Sequence, residues 1–175
     1  MAAKVGQQHP TVRWWCPQLP PSPQDAIQLL TEELLRWQQE PDFESLAVMG
    51  SSLGGFYATA IAERFGCKAV LLNPAVTPER SLSQYIGEHT SWHDPSERFF
   101  FEPRFVEELH ALQAGALKAP ENYLAIIAKG DEVLDWREMA ARYQHAKLCL
   151  LEGGDHALSD FEHHLPLILD FLKLA

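Results

Sequence analysis

The sequence predicts an α/β fold, a three-layer sandwich around a mostly parallel sheet, on three observations. Short apolar runs at Leu46-Ala-Val-Met49, Ala69-Val-Leu-Leu72 and Tyr123-Leu-Ala-Ile-Ile-Ala128 alternate with stretches of helical periodicity. The runs are apolar at successive positions, as strands covered on both faces must be, and do not alternate polar with apolar. A chain of 175 residues that is 46% apolar can bury one core, so residues 1–175 are expected to form a single domain.

Taken in order, residues 2–8 read as the last turns of a helix ended by His9-Pro10, and 12–16 as a short strand. Pro17-Gln-Leu-Pro-Pro-Ser-Pro23 reads as a rigid loop. Ser22 is placed to cap a helix over 24–39, with Pro23 in its first turn and Asp25 complementing its dipole. Ile27, Leu30, Leu34 and Trp37 fall on one face of that helix. A strand over 46–50 then meets a sharp turn and a helix, which Phe65-Gly66 closes with a glycine cap. A second strand over 69–73 is stopped by Pro74. Residues 76–118 lose strand-like runs and hold short helical patches, Trp92, the Phe99-Phe100-Phe101 cluster and a helix over 103–114. Such an excursion between strands is where a cap-like insertion over a pocket would sit. The Phe cluster reads as cap core before it reads as acyl-binding surface. Beyond the strand Tyr123–Ala128, Asp135 and Glu138 have the spacing of a capping box opening a helix to Tyr143. Lys147–Leu151 is the last strand, and a helix over 167–174 with Pro166 at its start closes the chain.

A net charge of −10 and an isoelectric point near 5.2 set up a field that repels nucleic acid and anionic membrane, so neither is expected as a partner. Cys16, Cys67 and Cys149 are odd in number and lack C-x-x-C spacing, which fits neither a disulfide framework nor a zinc site. The N-terminus has no signal-type apolar core, and no apolar run approaches the ~18 residues of a membrane span. A soluble, cytoplasmic protein is expected.

Gly50-Ser51-Ser52-Leu53-Gly54 has the G-x-S-x-G pattern that lifts a serine off a strand end on a strained corner, with glycine expected on either side where side chains would collide. Such a pattern arises by chance in roughly 5% of chains this long, so its neighbours carry the argument. A serine hydroxyl becomes nucleophilic when an imidazole takes its proton and a carboxylate orients that imidazole. Ser52, Asp131 and His156 occur in the chain order Ser, Asp, His, each in the loop after an expected parallel strand, and so at one edge of the sheet. Glu132 and Asp135 remain alternatives to Asp131 as the acid. His156 is the one histidine that follows a strand through a Gly-Gly turn. His89 with His93, and Asp160, Glu162, His163 and His164, lack zinc-motif spacing and read as exposed side chains, so no metal is expected.

Pro17-Gln-Leu-Pro-Pro-Ser-Pro23, Gly50-Ser-Ser-Leu-Gly-Gly-Phe-Tyr57, Asn73-Pro-Ala-Val76, Gly130-Asp-Glu-Val-Leu-Asp135 and Gly153-Gly-Asp-His156 together closely resemble the YqiA-like family of small bacterial esterases. The match is five motifs in order across nearly the whole chain. The resemblance implies an α/β-hydrolase fold and cofactor-free hydrolysis of small-molecule carboxylic esters or acyl thioesters, with Ser52 as nucleophile, His156 as base and Asp131 as acid. It leaves oligomeric state open. It also implies an N-terminal hydrophobic strand running into a His-Gly-Phe loop that donates an N–H to the oxyanion hole, and residues 1–10 match neither. In that family's sheet order this strand would lie between 12–16 and 46–50. The other oxyanion donor, the backbone N–H of Leu53, is present. One expectation is that Met1 is an internal methionine of a longer reading frame. Another is that the chain as written is a catalytically impaired hydrolase fragment or a binding module.

Overall fold

The computed structural model describes residues 5–7, 9–90 and 98–174. Residues 5–7 are helical, and Val5 is buried. Helix α1 (Pro23–Trp37) begins where the sequence places its cap: Ser22 Oγ accepts the Asp25 N–H at 3.2 Å, and Pro23 occupies the first turn, which needs no N–H. Strand β1 (Ala47–Ser51), helix α2 (Leu53–Phe65) and strand β2 (Lys68–Leu72) follow, with Gly66 closing α2 at φ 65°. Next come α3 (Pro78–Leu82), the antiparallel pair β3 (Gly87–Thr90) and β4 (Arg98–Phe101), and α4 (Pro103–Leu112). The chain then runs through β5 (Tyr123–Ala128), α5 (Trp136–Arg142), β6 (Lys147–Leu151) and α6 (Phe161–Leu172).

The main sheet has the order β1-β2-β5-β6, all parallel, with Ser51 level with Leu72 and Ala128 level with Leu151. Alternation along the strands divides the core into two layers. Leu71, Ala125 and Ile127 pack on one side against Ala58 and Ala62 of α2 and Met139 of α5, while Val70, Leu72, Leu124 and Ile126 pack on the other against Ile168 of α6. This is the three-layer sandwich, and every residue of β5 is buried because the strand lies in the middle layer, between β2 and β6 and covered by helices on both faces. A further cluster joins Ala26 of α1, Phe101 of β4 and Phe105 and Leu109 of α4 to Phe56 and Tyr57 at the start of α2. Among the described residues, no helix is long and apolar enough to cross a membrane.

Four expectations are corrected. Residues 12–16 are not a strand; the side chains of Arg13 and Trp15 instead bind the end of α1 and the turn after it. Arg13 forms a bidentate ion pair with Glu40 at 2.6 and 2.9 Å and lies over the Trp37 ring, and Trp15 meets Trp37 edge-on at 5.5 Å. Residues 76–118 do contain strands, β3 and β4, which form a ribbon of their own outside the main sheet. Gly-Glu-His-Thr has neither an apolar run nor a clean alternation, and a ribbon with little surface to bury requires neither. Phe101 packs edge-on against Phe105 in the interior, whereas Phe100 is exposed; Trp92 and His93 lie outside the described residues. Helix α6 begins at Phe161, so Pro166 sits inside it. Burial of Leu165 and Ile168 offsets the one backbone hydrogen bond the proline omits. Asp135 caps α5 through the Arg137 N–H at 2.9 Å, but Glu138 does not complete the box, because it pairs with Arg80.

Candidate active site

Ser52 stands between β1 and α2 with φ 54° and ψ −123°, a conformation that costs a non-glycine residue ~1–3 kcal/mol. Backbone bonds hold it there. Its N–H donates to Leu72 O at 3.0 Å, and its carbonyl accepts from Gly55 and Ala75 at 2.9 and 3.0 Å. The corner is too tight for a side chain at Gly50, where a Cβ would lie 2.0 Å from Gly54 O. Gly54 itself has open space around its Cβ position, so the expectation that both glycines of the pattern avoid collisions is corrected. The second crowded glycine is Gly55, whose Cβ would lie 2.7 Å from Pro74 Cβ. It lets α2 lie against the end of β2.

Asp131 follows β5 in a tight turn. Its Oδ1 accepts the Val133 and Leu134 N–H groups at 2.8 Å each, and the side chain is closed to solvent. His156 follows β6 through Gly153-Gly154, where Gly154 has φ 84°. The acid and histidine turns lie against each other: a Cβ on Gly130 would approach Gly154 O to 2.3 Å.

Ser52, Asp131 and His156 form one hydrogen-bonded line. His156 Nδ1 is 2.8 Å from Asp131 Oδ2, and Nε2 is 2.9 Å from Ser52 Oγ. A carboxylate only accepts, so Nδ1–H is the donor to Asp131, and Nε2 is left with a lone pair that accepts the Ser52 hydroxyl proton. The two alternative acids stand elsewhere: Glu132 Oε2 accepts the His156 main-chain N–H at 3.0 Å, and Asp135 caps α5. Leu53 heads α2, and its N–H has no partner among the described residues. An oxyanion held beside Ser52 would find that donor and the positive end of the helix dipole. A cavity of about 130 Å³ beside the acid turn is bounded by Ala75, Thr77, Val133 and Leu134 but by none of the three aligned residues. The His156 imidazole reaches the surface with 21% of its side chain exposed.

In the sequence Asn73 read as the last residue of a strand and as the head of the Asn73-Pro-Ala-Val76 motif, with no role at the site assigned to it. It has φ 40° and is fully buried, and its side chain bonds to backbone in both the β5 end and the histidine turn. A polar residue followed by proline at the end of an apolar run was the available signal. His89 and His93 lie outside the residues whose side chains are described. His164 Nε2 sits 3.2 Å from Asp160 Oδ2 in the first turn of α6.

The profile of an uncharacterised protein family, UPF0227, matches residues 1–173. A UPF0227 protein of Serratia proteamaculans is 28% identical over 152 residues, spanning 86% of this chain and 77% of the relative. One from Shewanella oneidensis is 26% identical over 152 residues, spanning 85% and 77%. Among solved structures, Est1E from Butyrivibrio proteoclasticus superimposes with a TM-score of 0.58 at 16% identity, covering 85% of this chain and 67% of that one. Alpha/beta hydrolase domain-containing protein 10 from mouse gives 0.61 at 18%, covering 88% and 71%. At such identities the likeness is one of fold, and that fold is the α/β-hydrolase sandwich.

Proposed function

This chain belongs to the UPF0227 family, and on the line Asp131–His156–Ser52 we propose that it is a serine esterase acting on small carboxylic esters or acyl thioesters. The observation that carries the reading is the pair of hydrogen bonds at 2.8 and 2.9 Å on opposite nitrogens of one imidazole. Ser52 Oγ attacks the acyl carbonyl while its proton passes to His156 Nε2. Asp131 stabilises the resulting imidazolium and does not itself take the proton. The tetrahedral oxyanion accepts the Leu53 N–H. His156 then protonates the departing alcohol or thiol, leaving an acyl group on Ser52. Water, deprotonated by the same Nε2, releases the acid and restores the serine.

No step requires a metal or cofactor. The net charge of −10 favours neutral or weakly charged substrates over polyanions and fits a cytoplasmic protein that does not hold nucleic acid or membrane. Residues 76–118 form the cap in this reading, anchored where Phe101 packs beside Phe56 and Tyr57 of the elbow helix. Turnover of p-nitrophenyl acetate and butyrate tests it. Wild-type protein is expected to hydrolyse them, with kcat lost by at least ~10³-fold in Ser52→Ala and His156→Ala; equal rates in wild type and Ser52→Ala would sink the proposal.

One observation favours a second reading. Among the described residues β1, which carries the elbow, pairs only with β2 and stands at the sheet edge. A site supported on one side suits a binding module that is acylated and released slowly. A stoichiometric burst of p-nitrophenol without steady turnover would select it.

A further inference from the structure

The histidine turn is gripped by its main chain from two sides. Asn73 Nδ2 donates to Asp155 O at 3.0 Å and to His156 O at 3.1 Å, while the Ala128 N–H donates to Asn73 Oδ1 at 2.8 Å. From the other side, Glu132 Oε2 accepts the His156 N–H at 3.0 Å. The peptide groups before and after the His156 Cα are thus both tied down, which sets the direction of its Cα–Cβ bond. Only χ1 and χ2 then remain, and Asp131 and Ser52 hold the ring itself. Asn73 is 0% exposed and its own N–H donates to Ile126 O at 3.0 Å, so this one residue joins the ends of β2, β5 and the turn after β6. Its φ of 40° suits asparagine or glycine, but glycine would leave Ala128 N–H and two carbonyls without that partner.

We propose that Asn73 and Glu132 are positioning residues that clamp the His156 backbone so that its imidazole presents Nδ1–H to Asp131 and its Nε2 lone pair to Ser52. The catalytic half of this statement rests on the serine-esterase reading; the tautomer half does not. A merely structural Asn73 would lower stability when removed and leave the ring's tautomer unchanged.

The test is ring ¹⁵N NMR of histidine-labelled protein, which reports the Nδ1–H fraction of His156, alongside kcat and KM for p-nitrophenyl acetate and urea midpoints. His156→Gln assigns the resonances. Wild type is expected to hold the Nδ1–H tautomer. Asn73→Gly and Glu132→Ala are expected to mix the tautomers and to lower kcat about 10- to 100-fold with KM within about twofold, the penalty of misplacing a reacting group by about an ångström. Glu132→Gln keeps an acceptor for the His156 N–H and is expected to restore both. Should Asn73→Gly not fold, Glu132→Ala on its exposed turn carries the test. A wild-type His156 without the Nδ1–H tautomer overturns the clamp, as does wild-type tautomer and kcat in a folded Glu132→Ala protein. A tautomer that responds as expected in a protein with no ester turnover upholds the clamp and defeats the esterase reading instead.

Discussion

Alanine at the two glycines of G-x-S-x-G should separate a residue that the elbow requires from one that only completes the pattern. In Gly50→Ala the new Cβ would sit 2.0 Å from Gly54 O, 2.3 Å from Gly54 C and 2.7 Å from Gly55 N. All three atoms are backbone, so no side chain can swing aside. The gap must open by about 1 Å to reach the 3.0 Å below which Cβ contacts essentially do not occur. Overpacking of this kind costs ~1–3 kcal/mol or more, a large share of the ~5–15 kcal/mol that holds a domain together. The same shift moves Ser52 Oγ off its 2.9 Å contact with His156, and a displacement of that size lowers kcat ~10²-fold. Gly54→Ala meets nothing within 4 Å and gains helix propensity, so its stability should stay within about 1 kcal/mol of wild type. Urea unfolding midpoints with p-nitrophenyl acetate turnover decide the matter. A Gly50→Ala protein with wild-type midpoint and rate, or a Gly54→Ala protein damaged as badly, would refute the steric argument.

Gly130→Ala should act on the other side of the site, since its Cβ would approach Gly154 O to 2.3 Å and push the acid and histidine turns apart; kcat should fall at least ~10-fold, with a smaller loss in urea midpoint. Burial pushes the Cys67 thiol from its ordinary 9.0 up to about 11, so at pH 8 Cys16, which is exposed, should react with a thiol reagent while Cys67 reacts only after unfolding. Because the folded state raises this pKa, the stability it confers is intact below about pH 9 and is lost as pH climbs towards 11, which urea midpoints across that range would register. Tyr143→Phe deletes a buried hydroxyl that bonds to Thr59 Oγ1 at 2.9 Å, while Thr59 keeps Gly55 O as its own acceptor, so the loss should be ~1 kcal/mol in urea unfolding with no change in ester turnover.

What the sequence made legible follows from how local its causes were. Tyr123–Ala128 could be read to the residue because a strand inside a parallel sheet must be apolar along its length, and Lys147–Leu151, at the sheet edge, because its apolar run ends in the Gly153-Gly154 turn. Ser52, Asp131 and His156 could be expected to meet at one edge of the sheet because each follows a parallel strand through its own turn. The cap of α1 was visible for the same reason, since Ser22, Pro23 and Asp25 act within one turn. Legibility failed where the cause lay elsewhere in the chain. In Val12-Arg-Trp-Trp-Cys16, Arg13 and Trp15 serve Trp37 and Glu40 and not a ladder partner. The polar Gly87–Thr90 strand exists only because Arg98–Phe101 lies beside it. Glu132, weighed as the acid, grips a backbone N–H 24 residues away. Asn73 gave only the hint of an amide before a proline, and its three side-chain bonds reach residues 55 to 83 positions distant.

The most direct measurement is reaction of folded protein with a fluorophosphonate, followed by peptide mass spectrometry to locate the adduct. Ser52 and its neighbour Ser51 share a peptide but not an environment: Ser51 ends β1, while Ser52 alone faces His156. One phosphonyl group per chain is expected, on Ser52, with labelling abolished in His156→Ala and in urea. Labelling on Ser51, or labelling of Ser52 that persists at the wild-type rate without His156, would contradict it.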